Sequence, residues 1–197
     1  MSMSPEPFKF SIVMPTYRRP HTIHRTIASI RAQTYREWEL IVVDNAGDGG
    51  YGFEDPRIRV LVHSEKTSAS HARNMGLLYA SGDLVCFFDD DDDMYPDYLA
   101  ELASAFRAHP AVCMVRCGML MRSGKPNFSH ATPECCLRRE FATPTWDGLA
   151  VCEDQRYFQG IARTNGWTEE RGEVVMISKV LCASHGDPVG GLRAGRV

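Results

Sequence analysis

The sequence predicts an α/β fold with a mainly parallel, doubly wound sheet flanked by helices. Short apolar runs recur along the chain, segments with apolar residues at helical spacing separate them, and turn-forming residues lie between. Strands that alternate with helices form parallel sheets through right-handed crossovers. With 197 residues, 44% of them hydrophobic, the chain is long enough for one domain with a core.

The first half of the chain contains four predicted strands, which cover residues 10–14, 39–43, 58–62 and 84–88. The first run ends at Pro15, and the second leads into a Gly- and Asp-rich segment that cannot hold regular structure. These runs have few polar interruptions, as expected of strands that are buried on both faces of a parallel sheet.

Three predicted helices cover residues 21–33, 68–80 and 96–109. In the first, isoleucines recur at helical spacing, and in the second Ser68 is positioned to cap the N-terminus. The third follows an acidic run and Pro96, both typical of helix starts.

The second half has weaker patterns. A strand is predicted over 112–121, an irregular excursion over 123–150, a helix over 154–164, and a closing pair of strands over 173–177 and 179–182.

Charge and cysteine content exclude several classes of protein. The net charge of −3 gives no general attraction to nucleic acid or anionic membranes. No apolar run approaches the roughly 20 residues of a spanning helix, so we expect a soluble, cytoplasmic protein without a membrane span. Seven scattered cysteines without a CxxC pair do not support a zinc site, and we expect most to be reduced and buried.

The most concentrated feature is the run LVCFFDDDDDMYP at residues 84–96, where five apolar residues lead directly into five aspartates. Adjacent carboxylates repel one another, so several must be stabilised by water, hydrogen-bond donors or a cation. A buried strand would deliver them to the sheet edge at which α/β proteins bind ligands. The run alone is compatible with a divalent-metal site or with an acidic loop that precedes a helix.

Several motifs stand in a specific order along the chain. They are SIVMPTY at 11–17, QTY at 33–35 ahead of ELIVVD at 39–44, ARNMG at 72–76, and FDDDD at 88–92 followed by Pro96-Asp97. Together they resemble the ordered signature of family 2 glycosyltransferases. Each motif alone is common, whereas the set in this order is specific.

The resemblance implies the GT-A fold, with a single domain over residues 1–197. Its nucleotide-sugar-binding half would cover 8–121, and a short, variable acceptor-side half with the tail would cover 122–197. The implied activity is transfer of a sugar from a nucleoside diphosphate donor to a small or soluble hydroxyl acceptor, with inversion at the anomeric carbon.

By the same resemblance, Pro15, Thr16 and Tyr17 hold the base and ribose of the donor, and Asp44 contacts the base or ribose. The family commonly has two acids in a row here, whereas this chain has Asn45 after Asp44. An amide both donates and accepts hydrogen bonds, which leaves the base open. UDP is the default donor nucleotide, and dTDP or GDP remain alternatives.

The family's D-x-D pattern falls on Asp89 and Asp91. The resemblance assigns Asp91 as the main metal ligand, and Asp89 and Asp90 to the ribose and diphosphate side, with Asp89 also near the metal. Asp92 and Asp93 are expected to face solvent or the acceptor. The implied ion is Mn²⁺ or Mg²⁺, because oxygen ligands select hard cations.

Three further assignments rest on the resemblance. Arg73, within the ARNMG motif, would reach the donor diphosphate, although a structural ion pair is an alternative. Asp154 matches the late acidic pair of the family and would be the catalytic base, with Glu153 orienting the acceptor, although two acids at the start of a helix are also a common N-terminal charge arrangement. His185 would be a third metal ligand, although a lone histidine in a Gly-rich tail often has no such role.

A non-catalytic nucleotide-sugar-binding module or partner subunit is the alternative to an enzyme. A nucleotidyltransferase on a similar sheet would have a Gly-rich loop after the first strand, and residues 15–19 contain none. The chain also lacks the Q-x-x-R-W motif of processive synthases. The acceptor and the donor sugar are not predicted.

Overall fold

The structure, a computed structural model, describes residues 7–45, 47, 50–128, 133, 135–146 and 153–185, of which 153–155 are described by their backbone only. The helices are α1 (Pro20–Arg31), α2 (Ala69–Leu78), α3 (Tyr98–Ala108) and α4 (Glu153–Asn165). The strands are β1 (Phe10–Thr16), β2 (Trp38–Asp44), β3 (Ile58–Val62), β4 (Leu84–Phe87), β5 (Asp92–Met94), β6 (Met114–Leu120), β7 (Pro126–Asn127), β8 (Cys135–Arg138) and β9 (Val174–Ser184).

One sheet contains all of these strands, in the order β3-β2-β1-β4-β8-β6-β9-β5, with β7 paired to β6. The first four strands in this order are parallel to one another. Strand β8 pairs antiparallel with both β4 and β6, so the second half of the sheet is mixed. The predicted α/β class is confirmed, because helices flank a sheet in which β3, β2, β1 and β4 are all parallel.

The helices pack on both faces of the sheet. One face is covered by α1 and α3, whose buried stripes include Ile27 and Leu102. The other face is covered by α2 and α4, through residues such as Leu77 and Phe158. The carboxyl ends of β1, β2 and β4 lie at one edge of the sheet, which is the usual ligand edge of such sheets.

The interpretation of 123–150 as an irregular excursion is wrong for its middle part. Cys135, Cys136 and Leu137 form most of β8, and all three are fully buried in the middle of the sheet. Two adjacent cysteines carry little strand signal on their own. Their strand is formed through pairing with β4 and β6, which are distant in sequence.

Two smaller differences concern the end of the chain and the aspartate run. The closing pair of strands is one strand, β9, which has irregular register against β6 between Arg116 and Met119. Its last residues pair antiparallel with β5, where Asp92 lies opposite Ser184. Part of the aspartate run is therefore an edge strand, which the sequence pattern did not predict.

Six of the cysteines and four α-helices lie among the described residues. The six cysteines found there are free, and all except Cys113 are buried, as expected of thiols that act as small hydrophobes. Among the described helices, none has the length and apolar character required to span a bilayer.

Candidate functional site

The candidate site lies where β1, β2 and β4 end. Thr16, the last residue of β1, is in register with Asp44, the last residue of β2, and Pro15 precedes it. Phe88, just after β4, donates its amide hydrogen to the carbonyl of Val13 at 3.0 Å, a distance typical of a strand ladder. The three strand ends therefore bring Thr16-Tyr17, Asp44 and the aspartate run to one edge of the sheet, as the sequence predicts.

Asn45 has a structural partner in this arrangement. Its side-chain oxygen accepts hydrogen bonds from the amide of Thr67 (3.0 Å) and from its hydroxyl (2.7 Å), and its Nδ2 donates to the Thr67 carbonyl at 2.7 Å. These three bonds tie the end of β2 to the segment before α2. A role for Asn45 in base recognition would use only its second amide hydrogen.

A cavity of about 480 Å³ opens beside the end of β1, lined by Arg18, Pro20, Gly50 and Tyr51. Arg18 has a φ of +51°, an uncommon conformation for a residue with a side chain. The ring of Tyr17 lies 5.5 Å from the Arg18 guanidinium and 4.9 Å from the Lys66 ammonium. The cavity is within the size range of small-ligand sites and has cations beside it, which suits a nucleotide.

Asp90 is buried and hydrogen-bonded through both its carboxylate and its backbone. It accepts hydrogen bonds from Thr16 Oγ1 and Arg19 Nη1, both at 2.6 Å, and its backbone carbonyl accepts one from Thr26 at 3.0 Å. Burial raises the pKa of Asp90 to about 6, although Arg19 and Thr16 act in the opposite direction. Arg19 Nη1 also lies 3.2 Å from Asp91 Oδ2, so one guanidinium serves two adjacent aspartates.

The expectation that Asp92 faces solvent or the acceptor is wrong. Asp92 is only 4% exposed, because alternation along β5 turns it inward together with Met94. Burial and the neighbouring carboxylates of Asp89 and Asp91 raise the pKa of Asp92 well above its usual range. Its Oδ1 accepts no hydrogen bond from the described residues.

Asp93 points outward and contacts two side chains at the surface. Its carboxylate contacts Arg25 Nε at 3.0 Å and His185 Nε2 at 2.8 Å. Pairing of β5 with β9 thus brings His185 beside the aspartate run, but against Asp93. A role for His185 as a metal ligand remains a prediction.

Arg73 occupies a buried position in α2 beneath the site. Its Nη2 donates to Asp89 Oδ1 at 2.8 Å, and its guanidinium lies 4.6 Å from the centre of the Trp146 ring. The neighbouring Asn74 exchanges two hydrogen bonds of 3.1 Å with the backbone of Trp146. Gly76, the last residue of the motif, packs closely against β1. A Cβ at this position would lie only 2.4 Å from Val13 Cγ1.

The residues present could bind a divalent cation whose coordination shell is completed by substrate. The side chains of Asp91 and Asp89 are 16% and 35% exposed, whereas Asp90 and Asp92 between and beside them are buried. The described residues contain no group of three or more His, Cys, Asp or Glu side chains arranged around a metal position. Mg²⁺ commonly binds through one or two carboxylates together with substrate phosphates and water, which matches this donor set.

The predicted acid pair lies at the start of α4, where Glu153 and Asp154 are the first two residues. Their side chains are outside the described part of the structure, so their roles remain predictions.

Two residues that the sequence reasoning did not single out contribute to this site. Arg19 holds Asp90 and Asp91, and Trp146 contacts Arg73. The adjacent pair Arg18-Arg19 beyond the first strand was a usable signal for a phosphate or carboxylate partner. Trp146 lies in the segment without periodicity, and nothing in its sequence surroundings indicated a role.

Two solved structures share this fold. Staphylococcus aureus TarS (residues 1–349), solved with UDP-GlcNAc, matches with a TM-score of 0.77 over 96% of this chain and 62% of that chain at 18% identity. The mannosyltransferase PcManGT of Pyrobaculum calidifontis, solved with GDP-Man and Mn²⁺, has a TM-score of 0.71, covering 96% and 61%, at 19% identity. The fold is therefore of the GT-A glycosyltransferase type.

The sequence comparison agrees with this class. The model of glycosyl transferase family 2 matches residues 11–132, and the chain belongs to that family. The Escherichia coli protein WfgD, named UDP-Glc:α-D-GlcNAc-diphosphoundecaprenol β-1,3-glucosyltransferase, is 41% identical over 87 residues, which cover 42% of this chain and 34% of WfgD. A Campylobacter jejuni GalNAc(5)-diNAcBac-PP-undecaprenol β-1,3-glucosyltransferase is 26% identical over 67% of this chain and 40% of its own length. The matched region is thus well under half of either relative.

Proposed function

We propose that this protein is an inverting, divalent-metal-dependent glycosyltransferase that uses a nucleoside diphosphate sugar. The observation that carries the proposal is the convergence of Thr16, Asp44 and the aspartate run at one sheet edge in a chain of this family. UDP is the proposed nucleotide, since both WfgD and the TarS complex are named with UDP sugars. GDP and dTDP remain the alternatives to test.

The donor would lie across the carboxyl ends of β1 and β2. Tyr17 would hold the base and ribose together with Arg18 and Tyr51, which line the adjacent cavity. Asp89 and Asp91 are the proposed ligands of Mn²⁺ or Mg²⁺. The cation, when bound, would stabilise the negative charge that develops on the departing diphosphate.

The residues of the chain would then organise the displacement. The oxygen of the acceptor hydroxyl forms a bond to the anomeric carbon as the bond from that carbon to the diphosphate oxygen breaks. The diphosphate leaves with the electron pair, and Asp154 accepts the proton of the hydroxyl. Attack from the face opposite the leaving group inverts the anomeric configuration. Arg73 fixes Asp89 through an ion pair, and Arg19 fixes Asp90.

The acceptor is proposed to be a hydroxyl compound. A small or soluble acceptor was the expectation from the sequence, whereas the names of WfgD and the Campylobacter jejuni relative specify saccharides on undecaprenyl diphosphate. Those names favour a saccharide in the acceptor position, whether or not a lipid carries it.

Substitution of the proposed base tests the function. Release of UDP from UDP-glucose is measured with p-nitrophenyl glycosides as acceptors, for the parent protein and for Asp154→Asn. We expect the variant to lose about 10²–10⁴-fold in rate while its Mn²⁺-dependent binding of UDP is retained. The exposed acid Glu170 provides the control, Glu170→Gln, which should retain full activity. A parent that binds UDP but turns over no donor would instead support a non-catalytic binding module.

A further inference from the structure

A groove of about 470 Å³ runs along α4, away from the edge where the aspartates lie. One wall is the segment 139–145, which begins with a 3-10 turn, and the other wall is the helix from Arg156 to Asn165. At a rise of about 1.5 Å per residue the helical wall is roughly 13 Å long. The groove is thus elongated and begins two residues after Asp154, the proposed base.

Gly160 lies in the middle of this helical wall. Glycine in a helix interior is about 1 kcal/mol less favourable than alanine. No close packing requires it, since a Cβ built at Gly160 would meet no atom within 4 Å. Because Gly160 has no side chain, the groove is open at its centre.

The lining combines an apolar base with a polar rim. Tyr157 and Ile161 are buried beneath the groove, and Phe141 flanks them. Threonine hydroxyls, such as that of Thr143, and the amide of Asn165 lie at the rim. Sugar rings present apolar C–H faces and hydroxyl edges, so this combination is complementary to them.

The charges of the lining favour a neutral ligand. Among the described residues that line the groove, Glu140 and Arg156 are charged, and their formal charges cancel. A site for a phosphate or another anion would have an excess of cationic or amide donors.

A layer of aromatic residues connects the groove with the aspartates. Tyr157, in the groove wall, stacks on Trp146 with the ring centres 4.2 Å apart and the planes at 13°. Trp146 in turn contacts Arg73, which is paired with Asp89. The groove and the donor side are therefore adjacent, and two aromatic rings and one guanidinium separate them.

We propose that this groove binds a neutral saccharide, the sugar part of the acceptor, with its reacting hydroxyl toward the start of α4. The proposal rests on the proposed function in that it treats the bound saccharide as the acceptor. Binding of the saccharide itself depends only on the groove and is measured separately from donor binding and turnover.

The test uses amide NMR spectra of ¹⁵N-labelled protein titrated with p-nitrophenyl β-D-glucopyranoside. We expect shifts of the Gly160 amide and of the Asn165 side-chain amide. Titrations with p-nitrophenol and with p-nitrophenyl phosphate compare the aryl group and an anion against the sugar. Equal shifts with p-nitrophenol, stronger shifts with the phosphate, or no shifts in the groove would each overturn the proposal.

Three variants test the location. Gly160→Leu places a bulky side chain in the open space on a good helix former, and should abolish the saccharide-induced shifts. Gly160→Ala should retain them and raise the melting temperature, and Arg163→Leu, an exposed position on α4 outside the groove, should also retain them. Retained shifts in Gly160→Leu would place the saccharide elsewhere and overturn the proposal.

Kinetics separate this proposal from the proposed function. In Gly160→Leu we expect the KM for the aryl glycoside to rise at least about tenfold, while the KM for UDP-glucose stays within about twofold. If the parent binds saccharide in the groove but never binds nucleotide, the proposed function fails and the groove assignment stands. If nucleotide binds and turns over but Gly160→Leu has unchanged acceptor KM, the groove assignment fails alone.

Discussion

The guanidinium of Arg73, in α2, donates from Nη2 to Oδ1 of Asp89, just after β4, across 2.8 Å. Arg73 is 4% exposed and Asp89 is 35% exposed, so the cation is buried while the carboxylate still meets water. The pair fixes the first aspartate of the run from below. It makes the ARNMG motif a support for the site, in addition to any contact that Arg73 makes with a donor.

Replacement of Arg73 by methionine should destabilise the protein by about 2 kcal/mol. The substitution removes the ion-pair partner of Asp89 and the guanidinium that contacts the Trp146 ring. The cost is limited because water can hydrate the exposed side of Asp89. Urea unfolding measures the effect. Arg73→Lys is the matched control, because it retains the charge without the planar stacking, and it should lose less. Equal stability of Arg73→Met and the parent would show that the ion pair is not structural.

The aspartates should differ in their response to amide substitution. Asp91→Asn should abolish the Mn²⁺-dependent part of UDP binding, since Asp91 is the proposed metal ligand. Asp93→Asn should retain it, with a stability loss of less than about 1 kcal/mol, because its partners Arg25 and His185 are exposed. Thermal shifts with UDP, with and without Mn²⁺, measure both variants. Equal losses would place the metal site in a different part of the run.

Gly76 should not tolerate a methyl group. In Gly76→Ala the new Cβ would lie 2.4 Å from Val13 Cγ1 and 3.2 Å from Val43 Cγ2, both in central strands. We expect a loss of about 1–3 kcal/mol, because the β-branched neighbours cannot move aside without repacking. Chemical denaturation measures it. Gly160→Ala is the control in a helix with open space, and it should be neutral or stabilising.

Stability should fall in acid partly through Glu39. Burial acts to raise its pKa, but hydrogen bonds from Lys9, Ser11 and Ser81 outweigh this effect and lower the pKa to about 2 from 4.5. The ionised group therefore stabilises the fold above pH 4.5, and this contribution is lost as the pH falls toward 2.

Glu39→Gln isolates this contribution. The variant should be about 1–2 kcal/mol less stable than the parent at pH 7, with allowance for solvent screening, and the difference should vanish near pH 2. Exposed Glu37→Gln is the control and should show little difference at either pH. A difference between Glu39→Gln and the parent that does not change with pH would contradict the assignment.

The sequence predicted the parallel half of the fold well because β1, β2 and β4 are buried on both faces and form continuous apolar runs, and β3 is a shorter apolar run at the sheet edge. β3 was predicted with its observed bounds, and Ser68 caps α2 by accepting from the His71 amide. The strand pattern placed the aspartates at the ligand edge of the sheet, whereas the family resemblance assigned Thr16 and Asp44 to the same site.

The sequence-based predictions were wrong where pairing between strands that are distant in sequence determines the structure. β8 is four residues long and acquires its place from β4 and β6. Five identical residues contain no alternation, so the sequence could not show that Asp92 turns inward and Asp93 outward. Pairing of β5 with β9 makes that distinction. The ring contact of Trp146 with Arg73 likewise depends on tertiary packing.

The most direct test of the central claim is the melting temperature with UDP, GDP and dTDP, each with and without Mn²⁺. The account predicts that one nucleotide, UDP, raises it by roughly 5–10 °C at 100 times its Kd, and only when Mn²⁺ is present. Asp91→Asn should remove that shift. If no nucleotide changes the melting temperature of the parent with Mn²⁺ present, this sheet edge is not a nucleotide-sugar site and the account is contradicted.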